Sequence, residues 1–343
     1  MGAWACGSGK QRSLGFEALQ DYVSVVSIVM KVIIDPGQSN NVIATIAIGD
    51  SYYQSWHQHA FPTWKAYCER HELGLVVFDA DLIARDDPFW KKPTWQKMLI
   101  GNVLSKQMPS VRNVCYLDTD ILVKPTAPNV FDTYDPATIG LVSLRKNLPY
   151  PYEQVLRRVA FLRNKYYDSK YPLDSALFIS VENLYKFHGL PVQADEACAG
   201  MFVFNIENHA DLLGAAFLKY DQSIDSITGG GDQTHFNYEV QSSGKVSWLD
   251  YRFQAIWLFE MAWKYPFLYD YGRDKQDVIK ECIEASLFTN YFLHFAGTWH
   301  ESGMWKVGGV LEGFSEREKM EQFAEYMKTP LTGTPVGQVK PSA

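Results

Sequence analysis

Two aspartates, Asp118 and Asp120, lie in the run Tyr116-Leu117-Asp118-Thr119-Asp120-Ile121-Leu122-Val123, framed by apolar residues on both sides. Read as an extended segment, positions two apart share a face, so the two carboxylates converge. Converging carboxylates at a strand end repel one another unless a cation lies between them. A divalent ion such as Mn²⁺ or Mg²⁺ fills that place with oxygen ligands and also binds diphosphate. A second pair with the same spacing, Asp79 and Asp81, is followed by polar, loop-like chain from Leu82 to Trp90, and solvated turn acids are its plainer reading.

These acids need a scaffold, and the surrounding sequence supplies one. Asn41 to Ile48 is a short apolar run ending in Gly49-Asp50, which predicts a strand. A helix is expected from about Tyr52 to His71, broken or kinked at Pro62. Leu73 to Phe78 predicts a second strand, ending in Asp79-Ala80-Asp81. A further helix opens at Pro93-Thr94, with Thr94 as its expected N-cap, and Val111 to Leu117 is a third strand running into Asp118. Strand, helix, strand, helix, strand implies a parallel sheet covered by helices, whose ligands gather at the carboxyl ends of strands. All three acidic ends sit there. The segment from Asn147 to Pro191 reads as irregular, with Arg157, Arg158, Arg163 and Lys165 on a solvated helix face. A strand returns at Gly200 to Asn205, a helix near His209 to Tyr220 precedes the run Gly229-Gly230-Gly231, and Asn290 to Phe295 is a late short strand.

Composition narrows the class. The chain has 343 residues, of which 47% are hydrophobic and 21% charged, which suits a globular α/β protein with an ample core. The net charge of -7 and the absence of any Lys/Arg block exclude a broad nucleic-acid footprint. Ten Trp and twenty Tyr provide aromatic faces that pack cores and also stack on sugar rings. Five cysteines without a C-x-x-C pair make neither a disulfide framework nor a thiolate zinc site, so a reducing, cytoplasmic setting is expected. The apolar stretch Val23 to Ile34 is shorter than the roughly 20 residues of a spanning helix, which leaves membrane association open. Residues 1–40 are taken as an extension of uncertain order, 41–328 as one domain in two halves, 41–125 and 126–328, and 329–343 as a tail.

With these motifs in order, the chain resembles the GT-A-fold nucleotide-sugar glycosyltransferases, nearest to the retaining, family 8-type group of glycogenin and the galactosyltransferase-like enzymes. The matching pieces are Thr45 to Tyr52, the helix carrying Lys97, Asp118-Thr119-Asp120, Ala199 to Asn205, Gly231-Asp232-Gln233 and His294-Phe295-Ala296-Gly297. They span residues 45–297; each is weak alone, and their shared order makes the match specific. The resemblance implies a mixed, mostly parallel central sheet flanked by helices and a hexosyltransferase moving a sugar from a nucleotide-sugar, UDP-linked by analogy, to a saccharide or other hydroxyl acceptor with retention. It implies that Asp118, Asp120 and His294 hold Mn²⁺ or Mg²⁺. By the same likeness Tyr52, Lys97, Gly297 and Lys306 meet the donor nucleotide and its phosphates, and Asp232, Gln233 and Lys97 act on the donor sugar and the leaving group.

The chain departs from the pattern twice. Cys198 stands where the family often has an asparagine that touches the donor sugar. The late motif lacks its usual lysine and continues through Trp299, His300 and Glu301 to Trp305 and Lys306, so Trp305 or Lys306 takes that place and His300 is an alternative ligand. An acceptor surface is expected among Trp257, Trp263 and Trp299. Three other readings compete. A haloacid-dehalogenase-type phosphohydrolase shares the strand and D-x-D, but wants Thr or Val where Leu122 stands. A nucleotidyltransferase needs a glycine-rich loop that Ile48-Gly49-Asp50-Ser51 does not supply. A non-catalytic carbohydrate-binding relative has no need of an intact Asp118, Asp120 and His294.

Overall fold

The structure is a computed structural model and describes residues 30–167, 177–228 and 231–312. A seven-stranded sheet forms its centre, built from β1 (Met30–Ile34), β2 (Asn41–Ile46), β3 (Gly74–Phe78), β4 (Asn113–Leu117), β6 (Ile139–Ser143), β7 (Ala197–Asn205) and β8 (Val246–Trp248) in the order β1-β3-β2-β4-β7-β6-β8. β2, β3 and β4 run parallel, β7 opposes β4 and β6, and β8 follows β6, so five strands share one direction against β1 and β7. The expected α/β architecture with a mostly parallel sheet is thus what the chain forms. A second sheet of three very short strands, β5 (Ile121–Val123), β9 (Ala255–Ile256) and β10 (Phe292–His294), has the order β5-β10-β9.

Strand alternation creates two cores. Ile43, Leu75, Val77, Cys115, Leu117, Met201 and Val203 face one side, and Val42, Val76, Phe78, Val114, Tyr116, Phe202 and Phe204 the other. The first side is covered by α1 (Asp50–Ser55), α2 (Phe61–Arg70), α5 (Tyr152–Tyr166), α10 (Trp257–Lys264) and α11 (Gln276–Thr289). Helices α4 (Ile100–Gln107), α7 (Ile206–Leu218) and α9 (Gln233–Ser242) cover the second. Three shorter helices complete the described set: α3 (Pro93–Gln96), α6 (Val181–Phe187) and α8 (Ile224–Thr228).

Several sequence expectations change in detail. The extension assigned to residues 1–40 includes β1, which pairs with β3 and ties Lys31 to Asp79 at 2.6 Å. Pro62 does not break its helix. A π-helical turn, Trp56–Ala60, lets the Phe61 N–H reach back to Trp56, and Pro62 falls in the first turn of α2, where its missing N–H costs little. Thr94 is not the N-cap; Lys92 is, with Pro93 at the first helical position. The segment read as irregular holds α5 and α6, and Arg163 is buried rather than solvated. Residues 229–230 and 329–343 lie outside the described residues. Among those described, no helix is long and apolar enough to cross a membrane.

Candidate active site

Asp118 leaves the end of β4 in the large sheet, and Asp120 leads into β5 in the small one. Between them the chain turns, closed by a hydrogen bond from the Ile121 N–H to the Asp118 carbonyl at 3.2 Å. The two carboxylates converge because of this turn, not because a continuous strand alternates its side chains. His294 ends β10, directly opposite Ile121 in the antiparallel pairing with β5, and the Phe295 N–H donates to the Asp120 carbonyl at 3.1 Å. His294 Nε2 lies 3.3 Å from Asp120 Oδ1 and 3.8 Å from Asp118 Oδ2. One ligand atom from each of the three residues falls within 4.8 Å of the others.

Gly200 makes this approach feasible. It sits on β7 beside β4, and its carbonyl accepts from the Asp118 N–H at 2.8 Å. A Cβ at this position would lie 2.3 Å from His294 Cε1 and 2.6 Å from Asp118 Oδ2, closer than any real side chain allows. The backbone of β7 therefore forms one wall of a cradle that only glycine leaves open. Tyr116 fixes Asp118 from the other side, its hydroxyl donating to Oδ1 at 2.6 Å.

Electrostatics of this corner suit a cation. Burial works against charge on the His294 ring, but Cys198 and Asp120 outweigh it and hold its pKa well above the usual histidine value. Two carboxylates and an imidazole are a donor set that accepts Mn²⁺ or Mg²⁺, the nitrogen favouring Mn²⁺. With the open cradle, these residues fit such an ion.

A cavity of about 750 Å³ adjoins the acids, lined by Tyr52, Asp118, Asp120, Gly297, Trp305 and Lys306 among others. Lys306 and Gly297 belong to the stretch after β10, where Glu301 is clamped to α5: Arg163 Nε donates to it at 2.6 Å, and the Tyr167 hydroxyl also donates to it. Of the residues expected around a nucleotide, Tyr52, Gly297 and Lys306 therefore share one cavity with the acidic couple. Tyr52 is 68% exposed there.

No family model matches this chain, and no curated protein does. Among solved structures it is similar to a glycosyltransferase involved in the glycosylation of the major capsid of PBCV-1, at 10% identity and a TM-score of 0.45, covering 78% of this chain and 98% of that one. It is also similar to the WbbM bifunctional glycosyltransferase in its apo form, at 13% identity and a TM-score of 0.45, covering 82% of this chain and 51% of that one. At such identities neither description transfers, and the chemistry is read from the site's own residues.

Lys97, Asp232 and Gln233 stand apart from the cavity lining. Lys97 is buried, donating to the Ala199 carbonyl at 2.7 Å and pairing with Asp232 Oδ2 at 3.0 Å. Burial pulls the Lys97 pKa down, but Asp232 and Asp118 outweigh it and raise it; burial raises that of Asp232 despite the lysine. Both directions follow from one ammonium serving several acids in a dry corner. Gln233 donates to Glu196 at 2.6 Å, and Glu196 is held at 2.8 Å by Arg145. Neither Glu196 nor Tyr116 had been given a role from sequence, although Asp195-Glu196 directly before a strand is a legible signal. His300 is outside the ligand group. Trp257 is fully buried, its ring centroid 5.4 Å from that of Phe295, so it is core and not an acceptor surface; Trp299 stacks on Tyr167 at 5.8 Å. The rival acids are occupied, Asp79 by Lys31, and Asp81 by Arg85 and Gln96.

Proposed function

We propose that this chain is a metal-dependent glycosyltransferase of the GT-A, retaining family 8-like type, moving a hexose from a UDP-sugar to a hydroxyl acceptor. One observation carries the reading. Two carboxylates and an imidazole, drawn from two sheets, meet around a glycine-opened cradle beside a cavity whose volume lies within the range of about 300–1,000 Å³ common for small-molecule sites. Bulk nucleotide binding alone needs no such convergence. A diphosphate leaving group does need concentrated positive charge at a fixed point.

Asp118, Asp120 and His294 would hold Mn²⁺ or Mg²⁺, which when bound supplies Lewis-acid stabilisation of the leaving diphosphate. The protein's own residues do the remaining work. Tyr52 offers an exposed aromatic face to the nucleoside at the cavity mouth. Lys306 places a second cation on the same cavity. Lys97, paired with Asp232 close to Asp118, offsets part of the repulsion between the acids without entering the cavity. Asp232 pairs with Lys97 and Gln233 with Glu196 apart from the cavity lining, so their part is to hold those two residues in place.

A thermal-shift screen of UDP, GDP and ADP, each with and without Mn²⁺, tests this reading. A ligand at one hundred times its Kd stabilises by about 2.7 kcal/mol, so a Mn²⁺-dependent rise in Tm is expected, largest for UDP. No Mn²⁺-dependent rise with any nucleotide would contradict the assignment.

A further inference from the structure

Gln254 closes the 3-10 turn Tyr251–Gln254, directly before β9, and β9 runs beside β10, the strand that ends in His294. Its side chain is buried and meets three groups: the Met201 N–H, the Cys198 carbonyl and His294 Nδ1. The first two belong to the backbone of β7, so their polarity is fixed. The N–H requires an acceptor, and the carbonyl requires a donor. Only one orientation of the amide serves both, with Oε1 3.0 Å from Met201 N and Nε2 3.2 Å from the Cys198 oxygen. In that orientation Oε1 is also the atom 3.1 Å from His294 Nδ1, and a carbonyl oxygen only accepts. Nδ1 therefore carries a proton. Cys198 Sγ lies 3.5 Å from the same nitrogen, and a sulfur accepting there favours the same Nδ1 proton.

The opposite orientation would set the amide NH₂ against both the Met201 N–H and Nδ1. It would force the neutral ring to carry its proton on Nε2, the nitrogen facing Asp118 and Asp120, and so would close that nitrogen to a ligand. We propose that Gln254 is the positioning residue of the metal site, translating the backbone polarity of β7 into the His294 tautomer that keeps the Nε2 lone pair free. This rests on the metal reading of the Asp118, Asp120 and His294 group. Ligating imidazoles usually donate their second N–H to a carboxylate, a backbone carbonyl or water. Here a neutral side-chain amide takes that part, its own orientation dictated by strand β7, which also supplies Gly200.

The test uses the full chain with isotope-labelled histidine nitrogens, loaded with Cd²⁺ as a diamagnetic probe. The His294 signals are identified by their absence from His294→Gln. The proposal expects the ring proton on Nδ1 and cadmium coupling on Nε2; a proton on Nε2 in the loaded protein would overturn it. Calorimetry with Cd²⁺ and Mn²⁺ supplies a second reading. Gln254→Leu, which removes the acceptor, should weaken metal binding by about 10- to 100-fold. Gln254→Glu, which keeps two accepting oxygens, should restore most of it and preserve the Nδ1 proton. Unchanged affinity and an unchanged ring spectrum in Gln254→Leu would overturn the proposal. If that variant does not fold, the wild-type and Gln254→Glu spectra decide. Asp120→Asn separates the two levels: loss of Cd²⁺ there, with no effect in Gln254→Leu, defeats the tautomer proposal alone, whereas undiminished Cd²⁺ binding in Asp120→Asn defeats the metal reading beneath it.

Discussion

A single hydrogen atom in place of a methyl group at residue 200 decides whether His294 and Asp118 can approach. Gly200→Ala should therefore lower Mn²⁺ affinity by about 10- to 100-fold, the scale of a disturbed supporting shell, with the folded state retained; calorimetric titration of the variant measures it. Tyr116→Phe removes the hydroxyl that donates to Asp118 Oδ1. It should weaken Mn²⁺ binding in the same titration, and by less than Gly200→Ala, because the cradle stays open. Asp118, Asp120 and His294 were legible in the sequence, the first two from their apolar frame and the third from resemblance. The roles of Gly200, Tyr116 and Gln254 were not. Gly200 and Gln254 act on neighbours distant in sequence, and nothing in local spacing announces a close approach between strands. A turn between two sheets, and not strand alternation, brings the two carboxylates together.

At the level of elements, the stretch from Gly297 to Lys306 must be held in place, because Gly297, Ser302, Gly303, Trp305 and Lys306 all line the cavity. The buried pair of Arg163 on α5 and Glu301 does this. Neutralising Glu301 breaks this buried pair, a loss on the order of 3–5 kcal/mol. Glu301→Gln should accordingly lower the denaturation midpoint and weaken UDP binding together, as urea unfolding and calorimetry can show. A second element-level prediction concerns α9. Burial, then His188 and Lys219, push the His235 imidazole down to about 4. An unfolded histidine titrates near 6.5, so between these values the unfolded chain holds more protons, and stability falls as pH falls through that window. Between pH 6.5 and pH 4, His235→Gln should lose less Tm than the wild type. From sequence, the arginines of α5 were placed on a solvated helix face, whereas Arg163 is buried against Glu301. The helix around Pro62 was read correctly as helical, but the π turn that accommodates the proline leaves no sequence signal of its own.

For the whole molecule, four of the seven strands of the large sheet and one strand of the small sheet were foreseeable. β2, β3, β4 and β7 are apolar runs long enough to show themselves, and β10 lies within the run Asn290 to Phe295, whereas β5 and β9 span only two or three residues and exist through pairing across long sequence separations. The site forms where these two sheets meet, with one acid at the edge of each and β7 passing beneath. The antiparallel insertion of β7 beside β4 brings Gly200 to Asp118, and the pairing of β10 with β5 brings His294 to Asp120. That junction is proposed to hold a cation that serves a sugar-nucleotide. Turnover of UDP-sugars, with Mn²⁺ added or chelated, tests it most directly when the wild type is compared with Asp120→Asn. Donor cleavage is expected to stop on chelation, return with Mn²⁺, and stay at background in Asp120→Asn under both conditions. Wild-type turnover in Asp120→Asn, or cleavage indifferent to chelation, would contradict it.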